Sequence, residues 1–248
     1  MRSSWILVFM IGFLSGCDYT DALLKDGEII RKEVVLNSFD RIEIETSVQL
    51  VLTNRVDSLA VIEGLDFLIS RLVLKQEGNV LKIESEGLIG FREKQLPSVI
   101  VGVSGLKRIT SNFPSKISNL DTLKVSNFSV VINGRGTFTE CNLLVDAGTI
   151  SLSAYGSNVG NHIFRGRTDQ LTIHAEGLSS VDASELDAKK VRLVQKSVNP
   201  SYVKVLEVLS VDIFSSGNVY YTGSPETSLT LGESLYDVEL GELIHVDE

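Results

Sequence analysis

Alternation of apolar and polar residues dominates the second half of the chain. Two short alternating runs flank the sequence Ser215-Ser216-Gly217-Asn218; their apolar positions are Leu209, Val211, Ile213, Val219 and Tyr221. A period of two residues is typical of a strand with one buried face. The sequence between the runs predicts a corner, in which we expect Gly217 to adopt a positive φ and Asn218 to tolerate the left-handed region.

The same unit of strand, small-residue corner and strand recurs upstream. Units begin at positions 123, 143, 171, 191 and 209, so the step from 143 to 171 is longer than the others. An irregular repeat of this size is typical of a β-solenoid, in which one coil cannot bury its apolar side alone and stacked coils form a continuous interior. The sequence therefore predicts an all-β, single-domain, parallel β-helix-like solenoid over residues 38–248.

The strands predicted between Phe39 and Thr110 are longer and less regularly spaced. Gly78-Asn79 separates the apolar-alternating runs 72–74 and 80–83, which predicts a hairpin. Residues 66–74 fit a helical stripe about as well as a strand, so that assignment stays open. A less regular N-terminal β portion is therefore expected before the regular coils.

Two segments resemble a known family, the auto-transporter adhesins with a head GIN domain, which are small cell-envelope proteins. One is the late motif Ser-Ser-Gly-Asn-Val-Tyr-Tyr-Thr-Gly-Ser-Pro (215–225), and the other is the opening segment 39–53. The resemblance covers about residues 38–226, although the family's usual Gly-Ser-Gly corners are replaced at 126–127, 146–148 and 197–199. It implies an adhesion or ligand-binding function. The candidate corner and surface residues are Ser215, Ser216, Gly217, Asn218, Tyr220, Tyr221, Gly223 and Pro225.

The N-terminus has the pattern of a bacterial lipoprotein signal peptide. An apolar run from Trp5 to Leu14 precedes Ser15-Gly16-Cys17, and the run is too short to span a bilayer. Residues 1–16 are predicted to be removed, Cys17 to be lipidated, and residues 17–37 to form the lipidated cysteine and a polar tether. We therefore expect a protein anchored by lipid in a Gram-negative envelope, with the outer membrane favoured over the inner and the face of the membrane open.

Charge narrows the choice of partners. Without residues 1–16 the chain has 22 Lys and Arg residues against 32 Asp and Glu residues, a net charge of −10. An acidic domain binds nucleic acid and anionic membrane surfaces poorly. The expected partners are the membrane, through the N-terminal lipid, and a glycan or an envelope or surface protein, while self-association stays open.

The sequence contains no recognisable catalytic motif. The three histidines, His162, His174 and His245, have no metal-ligand spacing, and Cys141 is expected to be a half-buried structural residue. The acidic sequence around Asp182, Glu185 and Asp187 could form a calcium site or a solvated coil edge, of which the second is favoured. We expect no catalytic, cofactor-binding or metal-binding residues.

Two alternatives to a non-catalytic adhesion module remain from the residues. One is a carbohydrate-active β-helix enzyme whose site has no recognisable motif. The other is an envelope scaffolding or stress protein that binds other proteins through open strand edges. Tyr220 and Tyr221 flank the last corner, where they form either a sugar-stacking platform or, the favoured interpretation, one inward-packed ring and one ring covering the terminal coil.

Overall fold

The computed structural model describes residues 27–55, 58–87, 89, 96–135, 138–235 and 237–247. In that part of the chain the elements are β1 (Ile29–Val35), β2 (Arg41–Ile44), β3 (Val48–Thr53), β4 (Leu59–Leu65), α1 (Asp66–Ile69), β5 (Leu72–Glu77), β6 (Val80–Ser85), β7 (Ser98–Gly102), β8 (Arg108–Ser111), β9 (Ser115–Asn119), β10 (Leu123–Ile132), β11 (Glu140–Ala154), β12 (Asn161–Gly177), β13 (Ser180–Ser197), β14 (Ser201–Ile213), β15 (Val219–Thr222), β16 (Glu226–Leu231) and β17 (Leu243–His245). No helix in these residues is long and apolar enough to cross a membrane.

Strands β10 to β17 form the regular part of the fold. Successive strands from β10 to β14 pair in parallel, β14 then pairs with both β15 and β16, and β15 pairs with β17. The result is a β-solenoid of about six turns that follows a less regular N-terminal sheet, which confirms the predicted all-β class and architecture.

Register partners on adjacent coils share one buried column. Ile150, Leu171, Val191 and Leu209 are partners in succession, so these coils have similar lengths, and each of the four side chains is at most 2% exposed. The predicted long step from position 143 to position 171 is wrong, because these two positions are not register partners on adjacent coils. Leu143 pairs with Phe164, and Leu171 pairs with Ile150. The remaining differences in coil length lie in corners of unequal length, so the interior side chains stay in register.

The N-terminal portion mixes antiparallel and parallel pairs. Strands β5 and β6 form the predicted hairpin, and Gly78 in its turn has a φ of +58°, which glycine adopts without strain. Strands β2 and β3 pair in parallel with β8 and β9, which lead into the coils. The open assignment at residues 66–74 resolves into one helical turn, α1, followed by β5.

Strand β1 shortens the predicted tether. Residues 29–35 lie within the segment 17–37, yet they pair antiparallel with all of β4. Val34 packs against the core cluster, and the backbone of β1 satisfies the hydrogen-bonding groups on one edge of β4. The polar residues around Arg31 had hidden this strand, whose side chains are mostly exposed.

Candidate functional site

The last predicted corner joins β14 to β15. Inside and outside positions alternate through it without a break, with Ile213, Ser215, Gly217 and Val219 all buried and Ser216 exposed. The Gly217 N–H donates to Ser197 O of the preceding coil at 3.1 Å, and the Ser201 N–H donates to Asn218 O at 3.0 Å. The corner is therefore fastened to the neighbouring coil by backbone hydrogen bonds.

The expected backbone conformation of this corner is wrong in one respect. Neither Gly217 nor Asn218 has a positive φ. Glycine is required at 217 for a different reason: a Cβ there would collide with Asn199 O, Ser197 O and the amide of Gln195. The positive φ of this motif lies at Gly223 (+93°), whose added Cβ would collide with Val205 O, while Pro225 directly precedes β16.

The two tyrosines of the motif have different environments. Tyr221 packs against the hydrophobic core, and its ring lies 4.9 Å from the ring of His245. Tyr220 lies outside, where its ring stacks on Tyr202 at 5.0 Å with an interplanar angle of 12° and its hydroxyl accepts a hydrogen bond from Asn218 Nδ2. One face of the Tyr220 ring is therefore covered by Tyr202. Less aromatic surface is free here than in a sugar-stacking platform formed by Tyr220 and Tyr221 together.

A line of polar side chains fills the interior where the coils turn. Many of them make hydrogen bonds: Ser197 Oγ donates to Ser179 O of the preceding coil at 2.7 Å, and Ser201 Oγ donates to Gln195 Oε1 across the corner between β13 and β14 at 3.0 Å. These residues are Ser111, Ser115, Thr139, Asn158, His162, Ser179, Gln195, Ser197, Ser201 and Ser215. The network satisfies buried backbone groups at the turns, a structural role that the alternating pattern did not reveal.

One cysteine and one histidine lie in this interior. Cys141 and His162 are register partners, and both are essentially inaccessible to solvent. Burial raises the pKa of the Cys141 thiol far above its usual range and lowers the pKa of His162 to about 4. His162 Nε2 lies 3.3 Å from Asn158 Oδ1, while its Nδ1 has no partner among the described residues. Both side chains therefore serve the core.

The acidic sequence around residue 182 is spread over different partners. Asp182 Oδ1 accepts hydrogen bonds from the backbone N–H and the hydroxyl of Ser184. Glu185 pairs with Arg165 at 3.1 Å, and Asp187 pairs with Lys204 at 3.4 Å. In the residues that the structure describes, these carboxylates do not converge with other acidic, His or Cys side chains into a group that could hold a metal ion.

An extended concave surface runs along another corner of the coils, and we call it the lateral groove. It consists of two adjoining hollows of about 410 and 720 Å³ that share Val125 and Ser126. Its lining residues are Gly105, Leu106, Lys107, Lys124, Val125, Ser126, Asn127, Phe128, Ser129, Asp146, Ala147, Gly148, Thr149, Ser151, Arg167, Thr168, Asp169, Asp187, Lys189 and Leu206. The groove thus crosses several successive coils.

The bend of the strands creates this groove. Residues 126, 148, 169 and 189 fall at gaps in the register pairing of otherwise continuous strands, where each coil turns from one face to the next. Coils approach each other closely here, since a Cβ on Gly148 would lie 2.8 Å from Ser126 O. The small residues Ser126 and Gly148 therefore leave a channel between the longer side chains around them.

Paired charges line one part of the groove. Arg167 makes two hydrogen bonds to Asp146, from Nε to Oδ1 at 2.8 Å and from Nη2 to Oδ2 at 2.6 Å, and Lys189 Nζ lies 2.6 Å from Asp169. The bond from Arg167 lowers the pKa of Asp146, so this carboxyl stays ionised at neutral pH. Hydroxyls of Ser126, Ser129, Thr149 and Ser151 line the adjoining part. Together these groups suit a ligand rich in hydrogen-bonding groups and without a large net charge.

Sequence reasoning missed the groove because its residues are distant in the chain and individually unremarkable. The usable signal was their spacing: positions 126, 148, 169 and 189 recur at nearly one coil length and carry Ser, Gly, Asp and Lys. Tyr202 was missed for the same reason, since it lies one coil before Tyr220. The predicted lipidation site, Cys17, lies outside the described residues.

Comparison with known families gives one match over most of the chain. The family model described as "Putative auto-transporter adhesin, head GIN domain" matches residues 38–225. These bounds agree with the span 38–226 over which the sequence resembles that family. Among curated proteins, none matches the chain significantly.

Solved structures share the fold. A "putative adhesin" from Bacteroides fragilis superposes with a TM-score of 0.76 at 16% identity, covering 88% of this chain and 97% of that one. A "putative lipid binding protein" from Parabacteroides distasonis has a TM-score of 0.63 at 19% identity, with coverages of 89% and 98%. A "putative adhesin" from Parabacteroides merdae has a TM-score of 0.65 at 15% identity, with coverages of 89% and 97%. At such identities the likeness is one of fold alone.

Proposed function

Since the chain belongs to the family described as "Putative auto-transporter adhesin, head GIN domain", we propose that it is a non-catalytic adhesion or ligand-binding module of the bacterial cell envelope. The lateral groove is the observation that carries this proposal. It is long and open, it presents hydroxyl, amide and charged groups beside apolar surface, and it lies on a scaffold whose parallel coils hold its walls in fixed register. Rigid scaffolds that present adaptable polar surfaces are typical of binding proteins.

An extended carbohydrate is the ligand class that fits the groove. Hydroxyls and amides such as those of Ser151 and Asn127, and planar charged groups such as Arg167 with Asp146, offer both donors and acceptors to sugar hydroxyls. The two charges within each ion pair neutralise each other, so the ligand need not carry charge to bind in the groove. The burial of Cys141 and His162 supports binding rather than turnover.

A substitution within the groove tests this ligand assignment. Ser151→Arg places a long side chain in the channel and is expected to weaken glycan binding at least tenfold, because it fills the space that the ligand needs. The protein, produced from residue 18, is first screened on a glycan array, and the dissociation constant of the strongest hit is then measured by calorimetry.

Ser153→Arg is the matched control. Ser153 lies two positions further along β11 on the same outward side and does not line the groove. Its dissociation constant should stay within about twofold of the unmodified protein. Equal weakening by both variants, or a strong glycan hit that Ser151→Arg leaves unchanged, would contradict binding in the groove.

We also propose that lipid on Cys17 attaches the module to the membrane. Small residues at Ser15 and Gly16 precede this cysteine, as lipoprotein maturation requires, and only a short segment separates it from Ile29, where β1 begins. Fully extended, that segment reaches at most about 40 Å. The N-terminal end of the sheet would therefore stay close to the bilayer, with the coils projecting from it.

Metabolic labelling tests the anchor. An alkyne fatty acid should label the unmodified protein, whereas Cys17→Ser should remain unlabelled and accumulate as uncleaved precursor, because the only thiol at the cleavage site is lost. Two or three acyl chains at about 0.8 kcal/mol per buried CH₂ bind a membrane stably. Label in both proteins, or in neither, would contradict the anchor.

A further inference from the structure

The C-terminal end of the solenoid exposes a strand that should have been covered. Leu229 and Leu231 of β16 are register partners of Val211 and Ile213, which are fully buried in the preceding coil. They face the same interior column, yet they are 46% and 57% exposed. Strand β16 therefore adds one more layer to the interior column, and no described residue covers the apolar side chains of that layer.

One edge of β16 is also open. Among the described strands β16 pairs only with β14, and the Gly232 N–H donates to Ile213 O at 2.9 Å. Along a strand in a parallel sheet, the backbone N–H and C=O groups of one residue point to one neighbouring strand, and those of the next residue point to the opposite edge. The N–H and C=O groups of Thr227, Leu229 and Leu231 therefore point to the open edge.

The charge of this end is strongly one-sided. The segment 226–247 contains no Lys or Arg. Its acidic residues in the described part are all exposed and make no ion pair there: Glu226, Glu233, Asp237, Glu239, Glu242 and Asp247. Two copies of this end would repel each other, whereas a basic chain would be attracted.

We propose that β16 is an acceptor edge for an extended basic segment of another protein, which adds as a further strand. Backbone hydrogen bonds would form with Thr227, Leu229 and Leu231, apolar side chains would cover Leu229 and Leu231, and Lys or Arg would lie against Glu226 and Glu233. Strand addition combines main-chain hydrogen bonding with side-chain selection in this way. The site is separate from the lateral groove and extends the proposed function to a protein partner.

A synthetic peptide of alternating lysine and leucine, Lys-Leu-Lys-Leu-Lys-Leu-Lys, is a suitable probe. Its binding to the protein from residue 18 is measured by fluorescence anisotropy, and amide hydrogen exchange is measured by NMR with and without peptide. We expect saturable binding that weakens with salt, and slower exchange specifically at residues 227, 229 and 231. The same peptide with glutamate for lysine should bind at least tenfold more weakly. Equal binding of both peptides, or binding without protection of these three amides, would overturn the proposal.

Substitutions on the edge separate strand addition from charge attraction alone. Leu229→Pro removes one donor from the open edge and leaves the ladder to β14 intact, as proline permits on an edge strand, and it should weaken peptide binding at least tenfold. Leu229→Val is the matched control and should stay within threefold. If Leu229→Pro fails to fold, the double variant Glu226→Gln/Glu233→Gln replaces it, with weaker binding and a smaller salt dependence expected. Unchanged affinity in the folded proline variant, or in the glutamine variant, would also overturn the proposal.

Discussion

Val219→Asp is expected to lower the free energy of unfolding by roughly 4 kcal/mol or to prevent folding, because it places a carboxylate in the buried interior without a positively charged partner. Val219 is fully buried, and its register partners on the adjacent coils are Ser201 and Leu243. Neither partner can neutralise a charge. Urea unfolding followed by circular dichroism measures the loss, and hydrogen exchange shows whether β15 and β17 open before the other coils.

Ser210→Asp provides the control for this substitution. Ser210 points outward on β14, and its register partners are Arg192 and Ser228. A carboxylate there stays solvated near a guanidinium, so the expected change is about 0.5 kcal/mol or less. Small and equal losses in both variants would mean that Val219 does not face the interior.

Acidification from pH 7 to pH 4 is expected to remove about 3 kcal/mol of stability through His162 alone. Burial lowers the pKa of His162 to about 4 in the folded state, whereas an unfolded histidine titrates near a pKa of about 6.5. Between these values the unfolded chain binds the extra proton, so stability is present above about pH 6.5 and falls as the pH approaches 4. Well below pH 4 both states are protonated and this contribution no longer changes.

A comparison of variants isolates this histidine. His162→Leu keeps a side chain of similar size without a titrating group, so its stability should fall by about 3 kcal/mol less over the same pH range. His245→Gln, at the exposed C-terminal histidine, should behave like the unmodified protein. Protonation of ion-paired carboxylates also destabilises all three proteins on acidification. The informative quantity is therefore the difference between the stability–pH profiles of the three proteins. Parallel profiles for His162→Leu and the unmodified protein would contradict the assignment.

The alternating pattern predicted the strands well because burial on one face is a local property of the sequence. Val211, Ile213 and Val219 are all buried as the pattern requires, and the hairpin at Gly78 forms as predicted. Register between coils could not be predicted in the same way. It depends on how many residues each corner absorbs, so Leu143 was matched with position 171 although its partner is Phe164.

Corner chemistry and contacts between coils account for the remaining differences. A glycine can be required by positive φ or by close approach, and the sequence does not distinguish these causes; Gly223 has the first and Gly217 the second. The Tyr202 and Tyr220 pair, like the lateral groove, joins residues one coil apart. Such neighbours become visible only when the coil length at each position is known.

The charges in one outward column of the solenoid affect how coils can be added during evolution. Lys124, Asp146, Arg167, Asp187 and Lys204 are register partners on successive coils, so charge alternates in sign from each coil to the next. Duplicating a single coil would set like charges side by side, which is mildly unfavourable on a sheet surface, whereas duplicating two adjacent coils would preserve the alternation. In this column, lengthening during evolution is therefore easiest in units of two coils.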